Sequence, residues 1–228
     1  MRNPGCRLAM AFGRLALCLL VTSGCMGDGA PIGTGGTEMP VVDEEVPSDV
    51  LAAQAVVLRL HADVLSVMRE ATELGYLGRF ARLEKVARET FDLPLMARRT
   101  FGPGWHDLTP EQQQLWIETF ERFHISSIAD IRDRYRSQQY RLIGWQRPMQ
   151  DVVLVKSILD YPGRAVDIHI DYRVRSTALG WRIVDLHQPP TVSEVAMRRA
   201  EYQTLLERRG FDGLIEEMNS RVARRREP

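Results

Sequence analysis

The sequence predicts an α+β fold with N-terminal helices, a four-stranded twisted antiparallel sheet and C-terminal helices. Three observations carry this. Apolar residues recur at helical spacing from Val50 to about Tyr135, they switch to a period of two between Tyr140 and Leu186, and a helix-start signature returns at Thr191. The 228 residues are 44% hydrophobic and 26% charged, with a mean hydropathy of −0.23, the mix of a soluble globular domain. Lys+Arg and Asp+Glu are both 30, which argues against a strongly basic nucleic-acid binder. No apolar run approaches the ~20 residues of a membrane span, which argues against a polytopic membrane protein.

Residues 1–24 read as a secretory signal. Arg2, Arg7 and Arg14 precede the apolar run 15–21, and small residues lead to Cys25. Thr22-Ser23-Gly24-Cys25 resembles a bacterial lipobox, with Thr22 where Leu, Val or Ile is more usual. That resemblance implies cleavage before Cys25 and diacylglycerol on its thiol. Cys6 and Cys18 leave with the signal, so Cys25 would be the only cysteine, with no intrachain disulfide or cysteine metal site. The alternative is a soluble secreted protein whose Cys25 is incidental. Residues 26–49 hold five Gly, three Pro, six acids and no base, so 25–49 reads as a flexible acidic tether spanning roughly 25–30 Å.

Residues 50–74 read as the first helix. Leu51, Ala55, Leu58, Ala62 and Leu65 fall on one face, Ser48 or Asp49 caps it, and Gly75 and Gly78 break it. Residues 79–90 form a second helix, with Phe80, Leu83 and Ala87 on one side. Asp92 caps a third, Pro94 fits its first turn and Gly102 ends it. Thr109-Pro110-Glu111-Gln112 is a capping box with Pro at the first helical position. The helix it starts runs to about Tyr135, with Trp116, Phe120, Phe123, Ser127 and Ile131 on one ring-rich face.

Residues 140–145 and 151–159 are the first two strands, and Tyr161-Pro162-Gly163-Arg164 is a turn. Val166, Ile168, Ile170, Tyr172 and Val174 then alternate with Asp167, His169, Asp171, Arg173 and Arg175, giving one dry and one wet face. A turn at 178–180 leads to a fourth strand at 181–186, and such short connections make an antiparallel meander. Thr191-Val192-Ser193-Glu194 opens a helix that Gly210 stops, and Asp212 caps a last helix ending near Arg221. The domain is 50–221, followed by a basic tail at 222–228.

No motif for catalysis, nucleotide phosphates or zinc is present, so no catalytic residue, metal ligand or cofactor is assigned. His169 with Asp171, and Asp185 with His187, share strand parities and would meet if their strands were adjacent, but exposed polar residues on a sheet face explain them more simply. What remains is apolar geometry: a ring-rich helix and a dry strand face. The two either pack flush or leave an apolar pocket for a lipid-like ligand.

Several runs, in order, resemble the MlaC or toluene-tolerance family of periplasmic phospholipid carriers, auxiliary components of ABC transport. They are Phe91-Asp92-Leu93-Pro94-Leu95-Met96-Ala97-Arg98, Phe101-Gly102, Trp105, Thr109-Pro110-Glu111-Gln112, Phe120 and Phe123, Gly180-Trp181-Arg182-Ile183-Val184-Asp185, and Gly210-Phe211-Asp212-Gly213-Leu214-Ile215. The resemblance implies an apolar cavity enclosed by helices and sheet, no covalent chemistry, and transfer of phospholipid between membrane-bound donor and acceptor complexes, as in outer-membrane lipid asymmetry. It implies a helical wall of Trp105, Phe120 and Phe123 and a sheet wall of Val166, Ile168, Ile170, Tyr172, Val174 and Ile183. The chain departs from the family at Gln188-Pro189-Pro190-Thr191, where Gly-Val-Ser-Leu is usual, and in Cys25, which would leash a normally diffusing carrier. A binder of another amphiphile such as a hopanoid, or an accessory lipoprotein with no ligand, are the other readings. Cys25→Ser is expected to move the protein from the salt-washed membrane pellet to the soluble fraction; continued pelleting would remove the lipid-attachment reading.

Overall fold

The computed structural model describes residues 45–130, 135–160, 162–163, 167–188 and 192–226; Cys25, Val166 and the signal and most of the tether lie outside them. Helices α1 (Ser48–Arg69), α2 (Ala71–Thr90), α3 (Leu93–Phe101) and α4 (Pro110–Ala129) come first. Strands β1 (Gln139–Met149), β2 (Val152–Asp160), β3 (Ile168–Thr177), β4 (Gly180–Gln188) and β5 (Val192–Ser193) follow, then α5 (Glu194–Arg226). The strands form one sheet in chain order, each pair antiparallel, so the class is α+β. There are five strands where four were expected. The fifth is the two-residue β5, paired with the end of β4 at His187 and Gln188.

Ser193 explains why a strand stands where the sequence shows a helix start. It ends β5 and also caps α5, since its Oγ accepts a hydrogen bond from the Ala196 N–H at 3.0 Å. The Ser193 hydroxyl donates to Asp185 Oδ2 at 2.6 Å, and Asp185 Oδ1 accepts from the backbone N–H groups of Leu186 and Val195. One buried carboxylate thus ties β4 to the first turn of α5. Thr191, the expected cap, lies outside the described residues.

Two other helix caps are observed as expected, while Gly78 lies inside α2 without a break, α1 already ends at Arg69 and α5 runs on to Arg226. Thr109 and Gln112 close a reciprocal capping box on α4, and Asp92 Oδ1 accepts from the Leu95 N–H at 3.0 Å to cap α3. The expected breaks at Gly75 and Gly210 are kinks inside α2 and α5; both residues have φ near +60°, which glycine adopts without a Cβ penalty. α4 ends at Ala129, short of Tyr135. There the buried guanidinium of Arg79 donates to the Ala129 carbonyl and to that of Ala71, each at 2.9 Å.

α1 corrects the sequence reading most. Pro47 occupies its cap position, Ser48 lies inside the helix and the Asp49 carboxylate accepts from the Val50 N–H. The face carrying Leu51, Ala55, Leu58 and Ala62 is exposed, and Leu65 is half-buried. The buried face holds Val50, Ala53, Val57, Leu60, His61, Val64, Val67 and Met68. α1 is apolar around most of its circumference, so two stripes satisfy the helical period. By length and hydropathy it would pass for a membrane span, yet its buried stripe lies on the sheet. Asp185→Ala is expected to cost about 3 kcal/mol, because it strips partners from three donors at the β4–α5 junction; the check is a lower urea midpoint at unchanged slope.

Candidate functional site

The expected helical wall is brought together, but against helices. α4 packs on α2, α3 and α5. Trp116 is fully buried, its indole N–H donates to the Ala97 carbonyl at 2.8 Å, and it meets Phe101, Phe120 and Tyr202 at ring distances of 5.2–6.2 Å. Trp105 lies edge-on to Phe101, Phe120 stacks on His124, and the Phe123 ring carries the guanidiniums of Arg198 and Arg225 at 5.0 and 4.6 Å. Between α3, α4 and the start of α5, a void of only about 10 Å³ touches Phe120 and Phe123, room for about one water.

The sheet wall is continuous. Cross-strand register sets Val174 opposite Val153, Tyr172 opposite Val155, Ile170 opposite Ser157 and Ile168 opposite Leu159. Ser157 keeps this face dry by donating its hydroxyl to the Ile170 carbonyl at 2.8 Å. Ile183 shares strand parity with Asp185, so a regular β4 would bury both. A bulge at Val184 separates them: Ile183 pairs with Val174 on the dry face and Asp185 with Arg173 on the wet one. Exposure rises along β3, from 0% at Val174 through 3% at Tyr172 and 9% at Ile170 to a half-buried Ile168. Tyr140 and Leu142 of β1 are also half-buried and pack against this core. The apolar face is therefore sealed at one end and opens toward Ile168.

The helix over this wall is α1, and it brings a polar group that sequence reasoning did not single out. His61 is 4% exposed. Its Nε2 lies 3.0 Å from the Tyr172 hydroxyl, its ring stacks on Tyr140 at 3.9 Å, and its Nδ1 has no hydrogen-bond partner among the described residues. Burial pushes the His61 pKa down to about 4 and the Tyr140 pKa up to about 12, and it raises that of Tyr172 well above the usual phenol value, so all three are neutral at ordinary pH. A lone histidine in a helix rich in Val, Leu and Ala was the available signal.

Asp171 lies opposite His187 across β3 and β4, and Asp185 Oδ2 lies 3.3 Å from His187 Nε2 while also accepting from Ser193; no group of three metal-capable side chains occurs among the described residues. A groove of about 420 Å³ lies between the β3–β4 turn and the start of α3, walled by Phe91, Leu93, Pro94, Leu179, Arg88 and Arg182.

The site is thus a one-sided antiparallel sheet whose dry face lies under helices. Residues 59–220 match the family of the MlaC protein, and the chain belongs to that family. Its fold is similar to that of a phospholipid-binding protein from Ralstonia solanacearum, solved in complex with a phospholipid. The TM-score is 0.61 at 22% identity, over 76% of this chain and 98% of that one.

His61 makes stability depend on acid. The unfolded chain protonates this imidazole near pH 6.5 and the folded protein only near pH 4. Its contribution is complete above pH 6.5 and falls as pH drops through that window, by about 3 kcal/mol in all. Thermal unfolding of the parent should lose stability between pH 6.5 and 4. His61→Gln should flatten this dependence, leaving the part due to His124, whose pKa burial also lowers.

Proposed function

We propose that this protein is a non-enzymatic carrier that holds phospholipid acyl chains against the inner face of its sheet and moves lipid between membrane-bound complexes in a bacterial periplasm. The observation that carries this reading is the dry face of β3, continuous from Val174 to Ile168 and opening toward Ile168. Family membership and the phospholipid held by a protein of the same fold support it. Ile168, Ile170, Tyr172, Val174 and Ile183 form the wall in this reading, and α1 supplies the opposing side. Trp105, Phe120 and Phe123 stiffen the helical layer behind it.

Burying two acyl chains at ~0.8 kcal/mol per CH₂ gives an upper bound on the order of 20 kcal/mol. A bilayer offers nearly the same, so exchange between carrier and membrane is close to neutral and needs no chemical step. Residues 1–24 act as the signal, Cys25 as the lipid-bearing residue and the stretch from there to the start of α1 at Ser48 as the tether that keeps the carrier near one membrane.

Native mass spectrometry of the exported protein, with organic extraction of any adduct, tests this. The expected result is a stoichiometric phospholipid. Ile170→Glu, and Ile168→Glu at the less buried end, should remove the adduct while circular dichroism stays unchanged. An adduct that survives both changes overturns the wall assignment. A bare protein that also fails to take up added phospholipid overturns the carrier reading.

A further inference from the structure

The two hairpin turns at one end of the sheet form a second surface that the lipid wall does not use. Val152 pairs with Arg175, which places the β1–β2 and β3–β4 turns side by side, and the Ser176 N–H donates to the Asp151 carbonyl at 2.9 Å to join them. Each turn ends in a large exposed apolar residue, Met149 at 55% and Leu179 at 78%. The Leu179 turn is held rigidly: the Thr177 hydroxyl donates to the Gly180 carbonyl at 2.6 Å and accepts from the Leu179 N–H at 3.1 Å.

Behind these tips the wet face of the sheet gathers arginines. Arg175 lies directly opposite Arg182 across β3 and β4, a like-charge pair that a sheet tolerates only at a cost. Arg173 is the next outward residue on β3, and its guanidinium lies 3.8 Å from the Met149 sulfur. Arg99 reaches the same region from α3. Burial, then the charges of Arg175 and Arg173, hold its pKa below the usual guanidinium value. Asp185 and Asp92 act on Arg99 in the opposite sense, but less than Arg175 and Arg173 do. Asp151 pairs with Arg175 at 2.9 Å, and Asp185, opposite Arg173, accepts from Ser193 and the backbone and lies 3.3 Å from His187 Nε2. Arg99, Arg173 and Arg182 have no carboxylate within ion-pair distance among the described residues.

We propose that this end of the sheet docks on an anionic phospholipid bilayer, with Met149 and Leu179 entering the headgroup–acyl boundary and Arg173, Arg175 and Arg182 meeting lipid phosphates. A bilayer surface offers both chemistries at that depth, apolar beneath and anionic above. Arg147, next to the β1–β2 turn, pairs with Asp49 in the first turn of α1 at 2.7 Å, so α1 begins at this same end. Docking here leaves the open end of the dry face, at the β2–β3 connection, on the far side of the sheet. The inference rests on this surface alone and needs neither a loaded wall nor a lipidated Cys25.

The test uses the exported chain carrying Cys25→Ser, so that no acyl anchor contributes. Co-sedimentation is measured with vesicles of phosphatidylcholine, with and without phosphatidylglycerol. Binding should require phosphatidylglycerol and weaken at high salt. Arg173→Gln with Arg182→Gln should lower it on the order of twentyfold, about fivefold per arginine. Leu179→Ser should lower the part that survives high salt. Ile170→Glu should leave binding intact even where it empties the protein of lipid, which separates a failure here from a failure of the carrier reading. Equal binding to neutral vesicles, indifference to the double arginine change, or no binding to any vesicle each overturns the proposal; the last would leave the arginines to an acidic protein partner.

Discussion

An antiparallel sheet with one apolar face needs a cover, and the rest of this structure follows from how that cover is supplied. α1 lies across the dry face with Val57, Leu60, Val64 and Val67 turned inward. Because α1 takes that place, α4 and its rings are left to α2, α3 and α5, and the one connected core has two differently built regions. One is an aromatic cluster between helices, built around Trp116. The other lies between a helix and a sheet.

The two regions suit different tasks. The aromatic cluster is anchored by directional contacts: the Trp116 indole on the Ala97 carbonyl, and the Phe123 ring between two guanidiniums. Such contacts hold helices in one arrangement. The α1–sheet interface is mostly aliphatic, with few directional bonds beyond His61 and Tyr172. Aliphatic contacts are non-directional, and an acyl chain can replace them at little net cost. The polar ties that hold the frame, Asp185 at the β4–α5 junction and Arg79 at the end of α4, lie outside the dry face, so a ligand there need not break them.

On β4 the two faces of the sheet are kept distinct by one irregularity. Without the bulge at Val184, Asp185 and His187 would turn inward beside Ile183, and a carboxylate would sit in the apolar wall. With it, β4 contributes Ile183 to the dry side and its polar residues to the wet side. The inner face is thereby left to apolar contact, while the outer face and its hairpin end carry the charge.

How much of this was legible in the sequence depended on the range of the interactions involved. The capping box at Thr109, the cap at Asp92, the kinks at Gly75 and Gly210 and the alternation of β3 could all be read, because each is set by residues a few positions apart. The family resemblance was legible for the same reason, as short runs in order. Other features needed the folded chain. Leu51, Ala55, Leu58, Ala62 and Leu65 fit the helical period as well as the stripe that is buried, so periodicity alone chose the wrong face of α1. The ring-rich face of α4 looked like a partner for the sheet because no local signal says which helix arrives there. The bulge at Val184, the short β5 and the meeting of His61 with Tyr172 across 111 residues likewise depend on distant segments. The sequence by itself determined the longer elements, their order and the dry side of the central strand. Tertiary structure alone decided which apolar surfaces face each other, because burial is non-directional and is resolved only when all the surfaces compete for the same interior.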